Sequence, residues 1–182
     1  MNRKKILAIS GSTRSQSVNL HILHAITEMY QKEADWTIYQ AIDTLPHFNP
    51  DLDQDPLPEA VSEFRNLISA SDAILICTPE YVFSLPGSLK NAIEWLVSTT
   101  LFTDKPAALI TASSSGTKAM ESLTLIMQTV GVSLGSNGTL LIQAPKTKIS
   151  EEGVITDPAT LAQIRALTED LLQRTPVTHM LN

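Results

Sequence analysis

Short apolar runs alternate with amphipathic segments along the chain, and this alternation constrains the fold more than any other feature of the sequence. The apolar runs that predict β-strands cover residues 4–10, 36–39, 73–77, 107–111 and 139–143. Helical periodicity begins at residue 18 and recurs over residues 59–70, 88–97, 118–130 and 159–174. The run at 73–77 is apolar on both faces, which is typical of a strand in the middle of a sheet. Because right-handed crossovers place each helix against the sheet, the alternation predicts an α/β fold with a parallel sheet and helices on both faces.

The length and the charge limit what kind of protein this is. A chain of 182 residues can bury one good core, so we expect a single domain over residues 1–182. The formal net charge of −6 argues against nucleic acid as a partner, because neutralising phosphates requires a basic face. The sequence shows neither a signal-peptide core nor an apolar run of the roughly 18 residues that span a membrane. Cys77 is the single cysteine, which fits a reducing compartment. We therefore predict a cytoplasmic protein with no membrane partner.

The residues after the first predicted strand carry many hydrogen-bond donors. Residues 10–19 contain five hydroxyls, the guanidinium of Arg14 and the side-chain amide of Asn19. In doubly wound sheets ligands bind beyond the carboxyl ends of the strands, and the free N–H groups at the start of the next helix favour an anion. Neither a G-x-G-x-x-G pattern nor a lysine-containing P-loop follows the strand. We predict a phosphate-binding loop over residues 11–19; the alternative is a serine-rich helix cap.

A second loop, residues 79–87, follows the central predicted strand and leads into another helix. Together the two loops carry the patterns S-G-S-x-R-x-x-S-x-N and P-E-Y-x-x-x-x-P-G-x-L-K-N-A-x-[DE]-W. With these motifs the chain resembles the NADPH-dependent FMN reductase family, flavodoxin-like enzymes that include quinone, azo-dye and chromate reductases. The likeness extends from Ile6 to about Ala144. It implies a flavodoxin-like, doubly wound sheet of five parallel strands in the order 2-1-3-4-5.

The resemblance also implies a role for residues of three loops around bound FMN. It implies that the FMN phosphate is contacted by Ser12, Arg14, Ser17 and Asn19. It implies that the flavin ring is lined, mostly by backbone groups, by Pro79, Glu80, Tyr81 and Val82. The other candidate binding residues are Ser10, Val18, Phe83 and Ser113. A planar apolar ring with a polar edge also suits a slot shaped by Tyr81, Phe83 and Pro79. Family members often carry Asn at the position of Val82 and more glycine in the loop 112–116.

The expected chemistry belongs to the cofactor, so the sequence assigns no catalytic side chain. We expect ping-pong transfer of hydride from NADPH or NADH to FMN, and of electrons onward to a small quinone, azo, metal-ion or flavin acceptor. Backbone N–H groups near residues 80–83 are expected to stabilise negative charge on the reduced ring. The family implies a homodimer or homotetramer. Two alternatives stay open, which are a flavodoxin-type electron carrier that NAD(P)H does not reduce directly and a non-catalytic binding protein.

Three other groups of residues carry weaker functional signals. Cys77 lies within an apolar strand, where a cysteine is typically an inert small hydrophobe. His21 and His24 share one side of the first predicted helix, but no ligand cluster accompanies them, and we predict no metal site. The acidic residues 51–55 resemble the start of a calcium loop, but Pro56 stands where such a loop requires glycine.

The stretch 43–58 is polar and rich in proline, so it cannot continue a helix or a central strand. We predict a surface excursion that forms a rim or lid. Trp95, in the third predicted helix, is expected to be either a core residue or a contact between subunits.

Overall fold

The computed structural model describes residues 3–176. Its strands are β1 Lys4–Ser10, β2 Ala34–Tyr39, β3 Ala73–Thr78, β4 Pro106–Ser113 and β5 Ser133–Gln143. Its α-helices are α1 Val18–Met29, α2 Glu59–Ala70, α3 Gly87–Glu94, α4 Thr117–Thr129 and α5 Pro158–Arg174. Two short 3₁₀ helices cover Pro50–Leu52 and Pro145–Thr147. Within the described residues, no helix is both long and apolar enough to cross a membrane.

The strands form one parallel sheet in the order β2-β1-β3-β4-β5. This order confirms the predicted fold class. All six residues of β3 are buried, as expected for a run that is apolar on both faces and lies between two other strands. Strand order reverses between β1 and β3, which is the point where doubly wound sheets place their ligands.

Side chains of successive strand residues enter two separate cores, one on each face of the sheet. In β1, Leu7 and Ile9 pack beneath α2, α3 and α4, whereas Ile6 and Ala8 pack beneath α1 and α5. Burying a leucine or isoleucine side chain fully contributes about 1.5–3 kcal/mol. The two helical layers therefore hold the sheet rigidly, and the loops at the carboxyl ends of the strands all emerge at one edge.

The third helix is shorter than the predicted 88–97. After Glu94 the chain tightens into i→i−3 turns, in which the Val97 amide donates to the Glu94 carbonyl. The Trp95 carbonyl accepts a hydrogen bond of 2.9 Å from Arg65 Nε on α2. Arg65 thus satisfies a helix-end carbonyl from outside the helix.

Two strands begin earlier than the sequence indicates. β5 starts at Ser133 and not at residue 139, and its pairing with β4 shifts register between Ala107 and Leu109. The added residues include a polar segment with two glycines, so they show no apolar run that could predict a strand. β2 starts at Ala34, two residues before the predicted beginning, where Ala34 pairs with Lys4.

The excursion at 43–58 is tied to the end of α3 by hydrogen bonds. Asn91 Oδ1 accepts from the Phe48 amide at 2.7 Å, and Trp95 Nε1 donates to the Pro46 carbonyl at 2.7 Å. The Trp95 side chain is fully buried, so it is a core residue and not a subunit contact. The excursion is a fixed strap on the α3 face and contributes no residue to the cleft described next.

Candidate functional site

A cleft of about 920 Å³ opens at the carboxyl edge of the sheet. The loop after β1 lines it with Ser12, Arg14, Gln16, Ser17, Val18 and Asn19. The loop after β3 contributes Pro79, Glu80 and Tyr81, and the end of β4 with the following loop contributes Ala112, Ser113 and Ser114. Nine of the twelve predicted binding residues therefore meet in one cleft, whose volume lies at the upper end of the range for small-molecule sites.

The loop after β1 offers an anion several unpaired donors. Ser17 caps α1, and its Oγ accepts a hydrogen bond of 3.3 Å from the Asn19 amide. The backbone N–H groups of residues 15–18 donate to no other group of the described chain. The Arg14 side chain is also without a partner among the described residues and lines the cleft. These donors surround the positive end of α1, so the residues present fit a bound phosphate.

Asn19 anchors this loop to the sheet instead of pointing its amide freely into the cleft. Its Nδ2 donates to the Ala112 carbonyl at 3.3 Å, and its Oδ1 accepts from Cys77 Sγ at 3.3 Å. Cys77 is fully buried, and burial raises the pKa of its thiol, which keeps the donating proton in place. The pair links α1 to β3 and β4 directly beneath the cleft.

Ser10 lies below the loop and outside the cleft. It is fully buried, and its hydroxyl donates to the Ser12 carbonyl at 3.0 Å. Its contribution is to hold the first turn of the loop.

The loop after β3 turns sharply beyond Tyr81. The Tyr81 amide donates to the Ser84 carbonyl at 2.9 Å, and the Ser84 amide donates back at 3.0 Å. The two residues between them, Val82 and Phe83, have φ of 50° and 56°, a left-handed conformation usually occupied by Asn or Gly in two-residue turns. Their side chains are 96% and 75% exposed. The family resemblance implied that Val82 lies along the ring, and Phe83 was expected to help shape the slot; neither residue lines the cleft, and the Tyr81 amide is engaged by Ser84.

The side chain of Glu80 is hydrogen-bonded to the start of α4. Its Oε1 accepts from the Gly116 amide at 3.2 Å, and its Oε2 accepts from the Ala119 amide at 3.0 Å. The sequence predicted a backbone role for Glu80. Contacts between residues so far apart in the chain have no local sequence signal.

Sequence reasoning missed the fourth wall of the cleft, which comes from the loop after β5. Its lining residues are Ala144, Pro145, Lys146, Thr147, Ile149, Ser150 and Glu151. The rule that ligands bind beyond the carboxyl ends of strands applied to this loop as much as to the other three. Lys146 adds a second cation without a partner among the described residues.

The two histidines of α1 have different surroundings. His21 lines the cleft beside the loop after β5, whereas His24 is exposed and outside it. Within residues 3–176 no group of three or more His, Cys, Asp or Glu residues is arranged to hold a metal ion.

Comparison with protein families gives one match over most of the chain. The model of the NADPH-dependent FMN reductase family matches residues 4–147, which contain β1 through β5 and all three predicted binding loops.

Individual relatives extend this likeness. The probable NADPH:quinone oxidoreductase 2 of Oryza sativa subsp. japonica is 29% identical over 169 residues, covering 88% of this chain and 83% of the relative. An NAD(P)H-dependent FMN reductase of Pseudomonas aeruginosa is 39% identical over 112 residues, or 60% of each protein. Among solved structures, FerB, a flavoenzyme NAD(P)H:(acceptor) oxidoreductase from Paracoccus denitrificans, aligns with a TM-score of 0.83 at 29% identity. That alignment covers 94% of this chain and 97% of FerB.

Proposed function

The chain belongs to the NADPH-dependent FMN reductase family, and from this premise we propose that it passes reducing equivalents from NAD(P)H through FMN to a quinone. The observation that carries the proposal is the single cleft that the donor-rich loop after β1 lines together with the loops after β3 and β4. The azo, metal-ion and flavin acceptors expected from the sequence are further candidates for the same cleft.

We propose that the FMN phosphate binds at the positive end of α1. The N–H groups of residues 15–18 would donate to it, together with the hydroxyls of Ser12 and Ser17. Arg14 would supply a charge-assisted hydrogen bond from the rim. Asn19 would act indirectly, by fixing the loop to Ala112 and Cys77.

We propose that the flavin ring lies between the loop 79–81 and the end of β4 near Ser113. Pro79 is buried and Tyr81 is 47% exposed, so together they form a rigid, partly apolar wall. When bound, FMN supplies the redox chemistry by accepting a hydride equivalent from NAD(P)H and giving electrons to the acceptor. The protein's own residues bind, orient and shield, and none of them has to act as a nucleophile.

Turnover tests this function directly. Purified protein reconstituted with FMN is expected to oxidise NADPH or NADH in the presence of a simple quinone, with the parallel-line kinetics of a ping-pong reaction. Protein that binds no FMN, or that binds FMN without turnover of any of the proposed acceptors, would contradict it.

We propose further that the protein is a cytoplasmic homo-oligomer and that residues 1–182 form one domain. The adjacent apolar side chains of Val82 and Phe83 are 96% and 75% exposed, which supports an interface, since contiguous exposed apolar surface commonly marks a contact site. Sedimentation velocity should show a dimer or tetramer, and Phe83→Ser, in the turn between Tyr81 and Ser84, should shift the distribution towards the monomer. A wild-type monomer at all concentrations would contradict the oligomer.

A further inference from the structure

We propose that Glu80 is a positioning residue that fixes two walls of the cleft against each other and neutralises the positive end of α4 beside FMN. The inference rests on the proposed function in placing FMN in this cleft. The Glu80 carboxylate fixes the walls because it joins the loop after β3 to the loop after β4, and its charge neutralises the helix end.

Two hydrogen bonds make this junction. The Glu80 oxygens accept from the amides of Gly116 and Ala119 at 3.2 and 3.0 Å. Gly116 is the N-cap of α4, and Ala119 is the third residue of the helix. An N-cap side chain normally accepts from this third amide, so Glu80 takes the part of a cap supplied from another loop.

The helix cannot supply this cap itself. Gly116 has a φ of 83°, and a Cβ at this position would lie 2.6 Å from Leu141 Cδ1 and 3.1 Å from Thr111 Cγ2. A Ser, Asp or Asn cap at this position would be strained by the positive φ and would require Leu141 to shift. The first turn of α4 also contains no acidic residue. Among the described contacts, Glu80 is the group that meets the positive end of α4.

The first consequence is geometric. Glu80 is flanked by Pro79 and Tyr81, which line one wall, while Gly116 follows Ser113 and Ser114, which line another. Holding Glu80 to Gly116 fixes the separation of these walls. Loss of either hydrogen bond would let the loops move apart and weaken the binding of a planar ring between them.

The second consequence is electrostatic. The free N–H groups at the start of a helix act as a partial positive charge, and a carboxylate bound to them cancels it. A glutamine at position 80 would remove the negative charge and could accept only one of the two hydrogen bonds, leaving part of the positive end exposed. Reduction adds negative charge to a flavin, so the change should favour the reduced cofactor.

The test compares Glu80→Gln with wild type and with Glu121→Gln. Glu121 lies on α4 and pairs with Lys118 at 2.6 Å in an exposed position, so its substitution removes one carboxylate charge near the start of α4 without touching the cap. Three quantities are measured: the FMN dissociation constant by fluorescence quenching, the midpoint potential of the bound flavin, and amide hydrogen exchange at Gly116 and Ala119 without FMN.

For Glu80→Gln we expect FMN binding weakened about three- to tenfold, a more positive potential, and faster exchange at both amides. Glu121→Gln should match wild type in all three. Faster exchange with unchanged FMN affinity and potential would overturn the inference, since Glu80 would then be only a helix cap. Unchanged exchange would overturn it as well. Wild-type protein that fails to bind FMN would instead contradict the proposed function, and the exchange data would still report on the cap.

Discussion

The hydroxyl of Ser17 can serve the helix and a ligand at the same time. Its oxygen accepts from the Asn19 amide, which leaves its own proton free to donate into the cleft. The helix-cap and phosphate-site interpretations of this serine-rich loop are therefore compatible, because one side chain can do both. The side chain of Ser15 in the same loop is exposed, so its hydroxyl neither caps the helix nor donates into the cleft.

Ser17→Ala is expected to weaken FMN binding and to destabilise the fold. The loss of the N-cap should lower the free energy of unfolding by about 1 kcal/mol. The loss of a donor to a charged phosphate should raise the FMN dissociation constant about tenfold. Fluorescence titration and urea unfolding measure the two effects. Ser15→Ala is the matched control and should leave both unchanged; equal effects in the two variants would show that the loop has no specific phosphate contact.

At the scale of elements, α1 and α5 are joined by a buried tyrosine. Tyr30 caps the end of α1, and its hydroxyl donates to Glu169 Oε1 of α5 at 3.1 Å. Burial, with the neighbouring Glu169 carboxylate, raises the pKa of Tyr30 from 10.0 to about 12. The folded chain therefore retains this proton over a pH range in which the unfolded chain has lost it.

This shift predicts the direction of a pH dependence. The stabilisation from Tyr30 is complete below pH 10, the pKa of the unfolded state, and is lost as the pH rises towards 12. Between pH 9 and pH 11 the wild type should lose roughly 1 kcal/mol more unfolding free energy than Tyr30→Phe. Urea unfolding at the two pH values measures this difference. Identical losses in both proteins would exclude the proposed role of the Tyr30–Glu169 contact.

The amide side chain of Asn91 makes two of the hydrogen bonds that hold the strap at 43–58. Asn91 accepts from the Phe48 amide and donates to the Pro46 carbonyl at 2.9 Å. We expect Asn91→Ala to lower the free energy of unfolding by about 1–3 kcal/mol, because it leaves the partly buried Phe48 amide without its partner. Limited proteolysis should then cut within 43–58. Asn66→Ala, at an exposed position of α2, is the control; equal resistance of both variants to protease would show that Asn91 does not hold the strap.

For the molecule as a whole, the sequence predicts the fold better than the details of the site. The apolar run of β3 and the helix periods determine the layers, and residues of both loop motifs line the cleft at the carboxyl edge of the sheet. The polar start of β5 is not predictable, because its residues lack an apolar pattern and pair only through the backbone. The Glu80 cap and the Asn19–Cys77 contact join distant parts of the chain, and such contacts appear only once the topology is known.

The exposure of the Val82 and Phe83 side chains was also not predictable from the sequence. The family resemblance implied a place along the ring for Val82, and the apolar ring of Phe83 suited the slot, whereas the two-residue turn leaves both side chains exposed to solvent. Because this turn normally favours Asn or Gly, the residue types gave no indication of it.

The most direct test of the central claim is an anaerobic titration of the FMN-loaded protein with NADPH and, separately, with NADH. We predict that at least one of the two nucleotides alone bleaches the visible absorbance of the flavin and that a quinone then restores it. Bound FMN whose spectrum neither nucleotide changes would contradict the claim and would identify an electron carrier that needs another protein as its reductant.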